Sequence, residues 1–139
     1  MSQGRRKSTK HLEFNQPFAA LYFLNSTTQR LHTVFGGQFC SNGKFLRRDA
    51  EGATLIDIDS IPKTISHYRL DAKLEQVLEH SLIADPDSLP GLPDGLRPSP
   101  DGADAPDGES VIVAFYNPDA VADGVAQQLR VRDGSIPYG

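Results

Sequence analysis

The chain has 139 residues, a formal net charge of −4 and a hydrophobic fraction of 38%. This length supports a domain with its own core, the acidic balance lacks the basic footprint of a nucleic-acid binder, and no apolar run approaches the ~20 residues of a membrane-spanning helix. A single cysteine, Cys40, excludes a disulfide or a multi-cysteine zinc site within the chain and fits a reducing, cytoplasmic setting.

Residues 1–14 carry Arg5, Arg6, Lys7 and Lys10 with no apolar segment behind them, which predicts a disordered basic tail and not a secretory signal. From residue 15 to 139 strand signals dominate. "AALYFL" (19–24) and "RLHTVF" (30–35) flank the turn residues "NSTTQ" and predict a hairpin. "GKFLRR" (43–48) runs into the turn "DAEG", and "ATLIDID" (53–59) follows as a second strand. "TISHYRL" (64–70) alternates, with Ile65, His67 and Arg69 on one face and Ser66, Tyr68 and Leu70 on the other. "LEQVLEHSLI" (74–83) reads either way: Leu74, Val77, Leu78 and Leu82 have helical spacing, and the same stretch serves as a strand. The longest loop signal is 84–109, whose acidic part "DGADAPDGE" reads as a solvated loop. "SVIVAFY" (110–116) is the clearest strand of the chain and "VAQQLRV" (125–131) a weaker last one. With Gly, Pro and Asp in the connections, the pattern is all-β with antiparallel hairpins.

Several common chemistries are missing. The chain has no G-x-S-x-G. "GGQFCSNGKF" fails as a phosphate loop, because Gln38 stands where a glycine is needed and Phe45 where Ser or Thr should follow Lys44. Asp101, Asp104 and Asp107 are spaced by three around Pro106, which does not match a calcium-binding helix–loop–helix. His11, His32, His67 and His80 form no ligand pair, and Cys40 has no histidine partner in a known pattern, so packing is its expected role.

A repeat carries more information. "NGKFLRRDAEGATLIDID" begins at Asn42 and "DGLRPSPDGADAPDGESVIVAFYN" at Asp94, 52 residues on. Each reads as Asn/Asp-Gly, a short strand, an acidic glycine turn and a long apolar strand. A period near 50 with four strands per unit is the signature of a β-propeller blade, and the chain has room for two to three. Equivalent turns of neighbouring blades lie at one end of a propeller's channel, where the oxygens of Asn42 and Asp94 would suit a hard cation. Asn-Gly and Asp-Gly are equally the commonest hairpin-turn dipeptides. Of the two Pro-Asp-Gly turns, 93–95 reads as the mouth of a blade and 100–102 as an ordinary turn.

Two stretches carry a resemblance. "QFCSNGKFLRRDAEGATLIDIDSIPKTISHYRLDA" has Asn-Gly, a strand, an acidic glycine turn, a strand ending in Asp-Ser, and Ile-x-x-Tyr-x-Leu-Asp; "LPGLPDGLRPSPDG" leads on to "VIVAFYN". Over residues 35–117 the chain resembles the senescence-marker-protein/gluconolactonase (regucalcin-like) family of six-bladed propellers. The resemblance implies two to three blades of such a propeller. It implies Asn42 and Asp94 as ligands of a divalent ion (calcium, zinc, magnesium or manganese), with Asp94 also the catalytic base. It implies hydrolysis of a small-molecule lactone or ester, with no nucleic acid or membrane as partner. The departures are specific. The family's third ligand is a Glu in a Glu-Gly-Pro turn, which Glu13 in "HLEFNQ" does not match. The Arg and Asn substrate residues of the family's earlier blades have no counterpart. Arg47-Arg48 and Ile56-Asp57 put charge where the family has less, which is expected to weaken the blade. Two other readings compete: a strictosidine-synthase-like relative, and a non-catalytic propeller fragment acting as a binding or assembly module that self-associates through open sheet edges.

Overall fold

The computed structural model describes residues 16–100, 110–117 and 120–131; the basic tail 1–14 and the acidic loop 101–109 lie outside the described residues. Nine strands follow one another: β1 (Ala19–Asn25), β2 (Arg30–Gln38), β3 (Ser41–Arg48), β4 (Gly52–Asp59), β5 (Thr64–Asp71), β6 (Val77–Leu82), β7 (Leu92–Pro98), β8 (Ser110–Asn117) and β9 (Ala120–Arg130). Among the described residues they form three antiparallel sheets in sequence order: β1-β2, β3-β4-β5-β6 and β7-β8-β9. The four-stranded sheet is a whole blade, and the other two are parts of the blades on either side. The fold is therefore all-β and a partial propeller, as the repeat implied.

The middle blade is built on β4 and β5, which pair without a break from Gly52↔Asp71 to Asp59↔Thr64. Their alternation decides what each face meets. Ile56, Ile58 and Ile65 are fully buried against Val111, Val113, Phe115 and Leu129 of the following sheet, with Ile83 and Leu89 closing the layer. Ala53, Leu55, Leu70 and Leu74 face the other way, onto Leu21, Phe23, Val34 and Phe35 of the β1–β2 hairpin. Each fully buried isoleucine contributes about 1.5–3 kcal/mol relative to exposure. Both faces of β4 are covered, which is why its sequence is apolar at consecutive positions as well as alternate ones.

The ambiguous stretch 74–83 resolves as a strand. Asp71 ends β5, and its Oδ1 accepts the amides of Glu75 (2.7 Å) and Gln76 (3.0 Å). This turn holds Leu74 at φ 59° and sends its side chain into the core. The chain then pairs with β5 from Leu70↔Val77 to Ser66↔Leu82. An open edge on β5 outweighs the helical spacing, and Val77, Leu78 and Leu82 end up exposed. The last strand also differs from expectation, beginning at Ala120 and not near 125.

Arg47 and Arg48 lie at the exposed end of β3, so they carry no burial cost. In the turn beyond them, Asp49 takes the Arg69 guanidinium in two contacts of 2.6 and 2.7 Å, while its Oδ1 accepts the amides of Glu51 and Gly52. The arginine, with the turn amides, holds the Asp49 carboxyl well below the usual carboxylate range.

β3 lies beside β7, so the leading strands of neighbouring blades touch. The approach is tight at Gly43, where an added Cβ would stand 2.6 Å from Asp94 O and 2.7 Å from Leu96 N. Gly95 has nothing within 4 Å of the same position. Gly43→Ala is therefore expected to cost about 1–3 kcal/mol, and Gly95→Ala to stay within about 0.5 kcal/mol of wild type. Urea unfolding of the two variants side by side measures the difference; equal stability would show that the blades do not meet at Gly43.

Candidate functional site

The ladder between β3 and β4 slips in register between Ser41 and Lys44. The ladder between β7 and β8 slips between Pro93 and Leu96, the same place 52 residues later. Such slips re-aim side chains and are common beside active sites. The residues inside them are Asn42-Gly43 and Asp94-Gly95. Because Gly43 lacks a side chain, its backbone lies directly against Asp94, Gly95 and Leu96. The structure thus brings together the two dipeptides that the spacing singled out.

The corner Asp59-Ser60, at the end of β4, holds this arrangement. The Asp59 carboxylate accepts the amide of Phe39 at 2.8 Å and that of Cys40 at 2.7 Å, pinning the link between β2 and β3. Ser60 donates its backbone N–H to Cys40 O (3.0 Å). Its hydroxyl, wholly buried, donates to Pro93 O at 2.6 Å and accepts from Asn42 Nδ2 at 3.1 Å. One dipeptide therefore ties the middle blade to the chain before it and to the blade after it. Cys40 takes part through its backbone and is half-buried, not enclosed in the core as expected.

Beside the corner sits a buried charge. Lys44 Nζ lies 2.6 Å from Ser41 Oγ, 3.0 Å from Asn42 O and 2.8 Å from Asp57 Oδ1. Asp57 is 2% exposed, and its other oxygen accepts from Gln38 Nε2. Burial pushes the Asp57 carboxyl up, while Lys44 and Gln38 hold it down in part. Behind it, a cavity of about 230 Å³ runs between Gly36–Phe39 and the blade, lined by Asp57, Asp59, Ser66, Tyr68 and His80. Tyr68 stacks between Phe35 and His80, with ring centroids 4.4 Å away on each side.

Asn42 Oδ1 and the Asp94 carboxylate meet no hydrogen-bond donor or cation among the described residues. Both are hard oxygen donors of the kind that bind calcium, magnesium or manganese. They fit such an ion in type and would supply part of its shell. Among the described residues no group of three His, Cys, Asp or Glu side chains is placed to hold a metal. Glu13 lies outside the described residues, as does the turn at Asp101-Gly102. The sequence showed Asp59-Ser60 only as the Asp-Ser that ends a strand, with no role attached, and did not show the Lys44–Asp57 pair. The available signal was the alternation Asp57-Ile58-Asp59 in a strand otherwise apolar on both faces, since buried carboxylates need partners.

The pair has a pH signature. Because the folded carboxyl of Asp57 titrates above its ordinary 3.8, its contribution to stability is complete below that pH and is lost as pH rises through the raised value. Lys44 offsets this at neutral pH. Lys44→Met should destabilise the fold by about 2–3 kcal/mol at pH 7, and the gap should narrow as pH falls toward 4, because the raised Asp57 carboxyl protonates before an ordinary one. Urea unfolding at both pH values measures it, and a gap independent of pH would refute the pairing.

Among known proteins, no curated protein matches the chain. A solved structure described as a luciferin-regenerating enzyme shares the fold, with a TM-score of 0.63 and 16% identity over 84% of this chain. The match covers 34% of that protein, so the chain spans about a third of its length. The family described as the SMP-30/Gluconolactonase/LRE-like region matches residues 1–132, a wider span than the 35–117 over which the motifs are legible. With that match over most of its length, and with the blade pattern seen in the structure, the chain belongs to the SMP-30/Gluconolactonase/LRE-like family.

Proposed function

We propose that the chain carries part of the active site of a metal-dependent lactone hydrolase of the gluconolactonase type. Asn42 and Asp94 are the metal ligands, and Asp94 is also the catalytic base. One observation supports this above the others: the matched register slips and the bare Gly43 put these two free oxygen donors on adjoining strands. A divalent ion bound there would supply Lewis acidity toward a lactone carbonyl. The oxygen donors favour calcium, magnesium or manganese over zinc. Asp94 has two carboxylate oxygens, so it can bind through one and take a proton from water through the other. The hydroxide equivalent adds to the carbonyl carbon, the ring C–O bond breaks, and the protonated carboxyl returns its proton to the leaving alkoxide. Water, substrate and residues beyond Asn42 and Asp94 would have to complete the coordination. The substrate class is a small lactone or ester.

A second reading is a binding or assembly module, acting through its open strands. It is favoured by Tyr22, Leu24 and Leu31 on the hairpin and Leu78 and Leu82 on β6, all exposed. No helix among the described residues is long and apolar enough to cross a membrane, and we place the protein in the cytoplasm on the strength of its lone cysteine.

Calorimetric titration with calcium or manganese tests the first reading. Asp94→Ala should weaken binding at least tenfold, about 1.4 kcal/mol, and equal affinity would remove Asp94 as a ligand. Hydrolysis of a sugar lactone should stop on addition of EDTA. Sedimentation over a concentration series addresses the second reading: association should grow with concentration, and a monomer throughout would argue against it.

A further inference from the structure

We propose that Ser60 is a positioning residue for the metal ligands: its single hydroxyl proton fixes which way the Asn42 amide points. The argument is a count of protons. A serine hydroxyl has one proton to donate and two lone pairs. Pro93 O, 2.6 Å away, is a carbonyl and can only accept, so the proton lies there. The other contact of Ser60 Oγ, 3.1 Å to the Asn42 side chain, must then be one in which Ser60 accepts. Only the NH2 end of Asn42 can donate. The amide oxygen is therefore turned away from Ser60 and left as a free acceptor. Orientation of an asparagine amide is ordinarily ambiguous from geometry alone, but here the acceptor-only nature of Pro93 O removes the choice.

The same count explains the choice of side chain. A carboxylate at position 42 would face Ser60 Oγ with no proton between them, since Pro93 already holds it. Asparagine satisfies Ser60 with its nitrogen and keeps a neutral oxygen for the ion, while the charged ligand is supplied by Asp94 on the other strand. Through Pro93 O the same hydroxyl also holds the residue before Asp94. Ser60 is wholly buried at the end of β4, so its bond to Pro93 O is shielded from solvent, while the bond from Asn42 is part-buried with its oxygen end toward the open side. Outer partners of this kind set the orientation of metal ligands.

This rests on the metal-ligand reading of Asn42 and Asp94, and the experiment separates the two. The Asn42 side-chain amide protons are followed by NMR in the metal-free protein, and calcium affinity is titrated, for wild type, Ser60→Ala, Ser60→Thr and Asp94→Ala. In wild type and Ser60→Thr one Asn42 amide proton should be protected from solvent exchange; in Ser60→Ala that protection should fall at least tenfold, with calcium binding weakened by a similar factor. Unchanged protection in Ser60→Ala overturns the positioning role. So does unchanged calcium affinity when Asp94→Ala has lost it. If neither wild type nor Asp94→Ala binds calcium, the metal-ligand reading fails, and the amide protection alone decides the role of Ser60. Should Ser60→Ala not fold, Ser60→Cys keeps the shape with a much weaker donor and acceptor, and the same two readouts apply to it.

Discussion

The hydrogen bonds of Asp59 and Ser60 are the constraint on which the rest of the structure depends. Strands within a blade are held by their own ladders, but the blades are joined largely by apolar packing, which is non-directional. Direction has to come from polar groups at the edges of that packing. Asp59 supplies it on one side through two backbone amides, each bond to the charged carboxylate being worth about 1.5–3 kcal/mol. Ser60 supplies it on the other through Pro93 O. The corner converts loosely stacked layers into layers with a defined offset, and that offset sets Gly43 against the backbone of Asp94 to Leu96.

The buried charge beside the corner has a related logic. Asp57 and Asp59 both stand on one face of β4, within a layer closed over by β2 and its exit. Two carboxylates in such a place repel each other and lose hydration. Asp59 is compensated by peptide N–H groups, Asp57 by Lys44 and Gln38. Lys44 comes from the same strand as Asn42 and touches the Asn42 carbonyl. The positive charge of Lys44 is thus paired with Asp57.

The fold was legible in the sequence because propeller blades repeat, and repetition is visible without any knowledge of contacts. The strand at 64–70 alternates, and the two faces assigned to it are the faces seen. The stretch 74–83 was not legible, because Leu74, Val77, Leu78 and Leu82 satisfy a helix as well as a strand; the edge of β5 settles the matter, and that edge exists only in three dimensions. The candidate site was legible to the same depth. Asn42 and Asp94 stand out by spacing and sit on adjoining strands. What spacing cannot carry is the register slip around each, the approach at Gly43, or the hydroxyl of Ser60 lying between Asn42 and Pro93. Asp-Ser was visible as a motif of the resembled family, yet its work is done through backbone groups of distant segments, and backbone partners leave no trace in residue identity.

The matched slips at Ser41–Lys44 and Pro93–Leu96 reach beyond these two strands. The aim of the side chain at the middle of each slip is a property of the blade and not of the residue that occupies it. A fold made of such units is modular with respect to ligands. In each of the two sheets the slip leaves one position just before a glycine, Asn42 in one and Asp94 in the other. On the proposed reading, the charge offered at the site is set by the residue at that position and not by the framework around it.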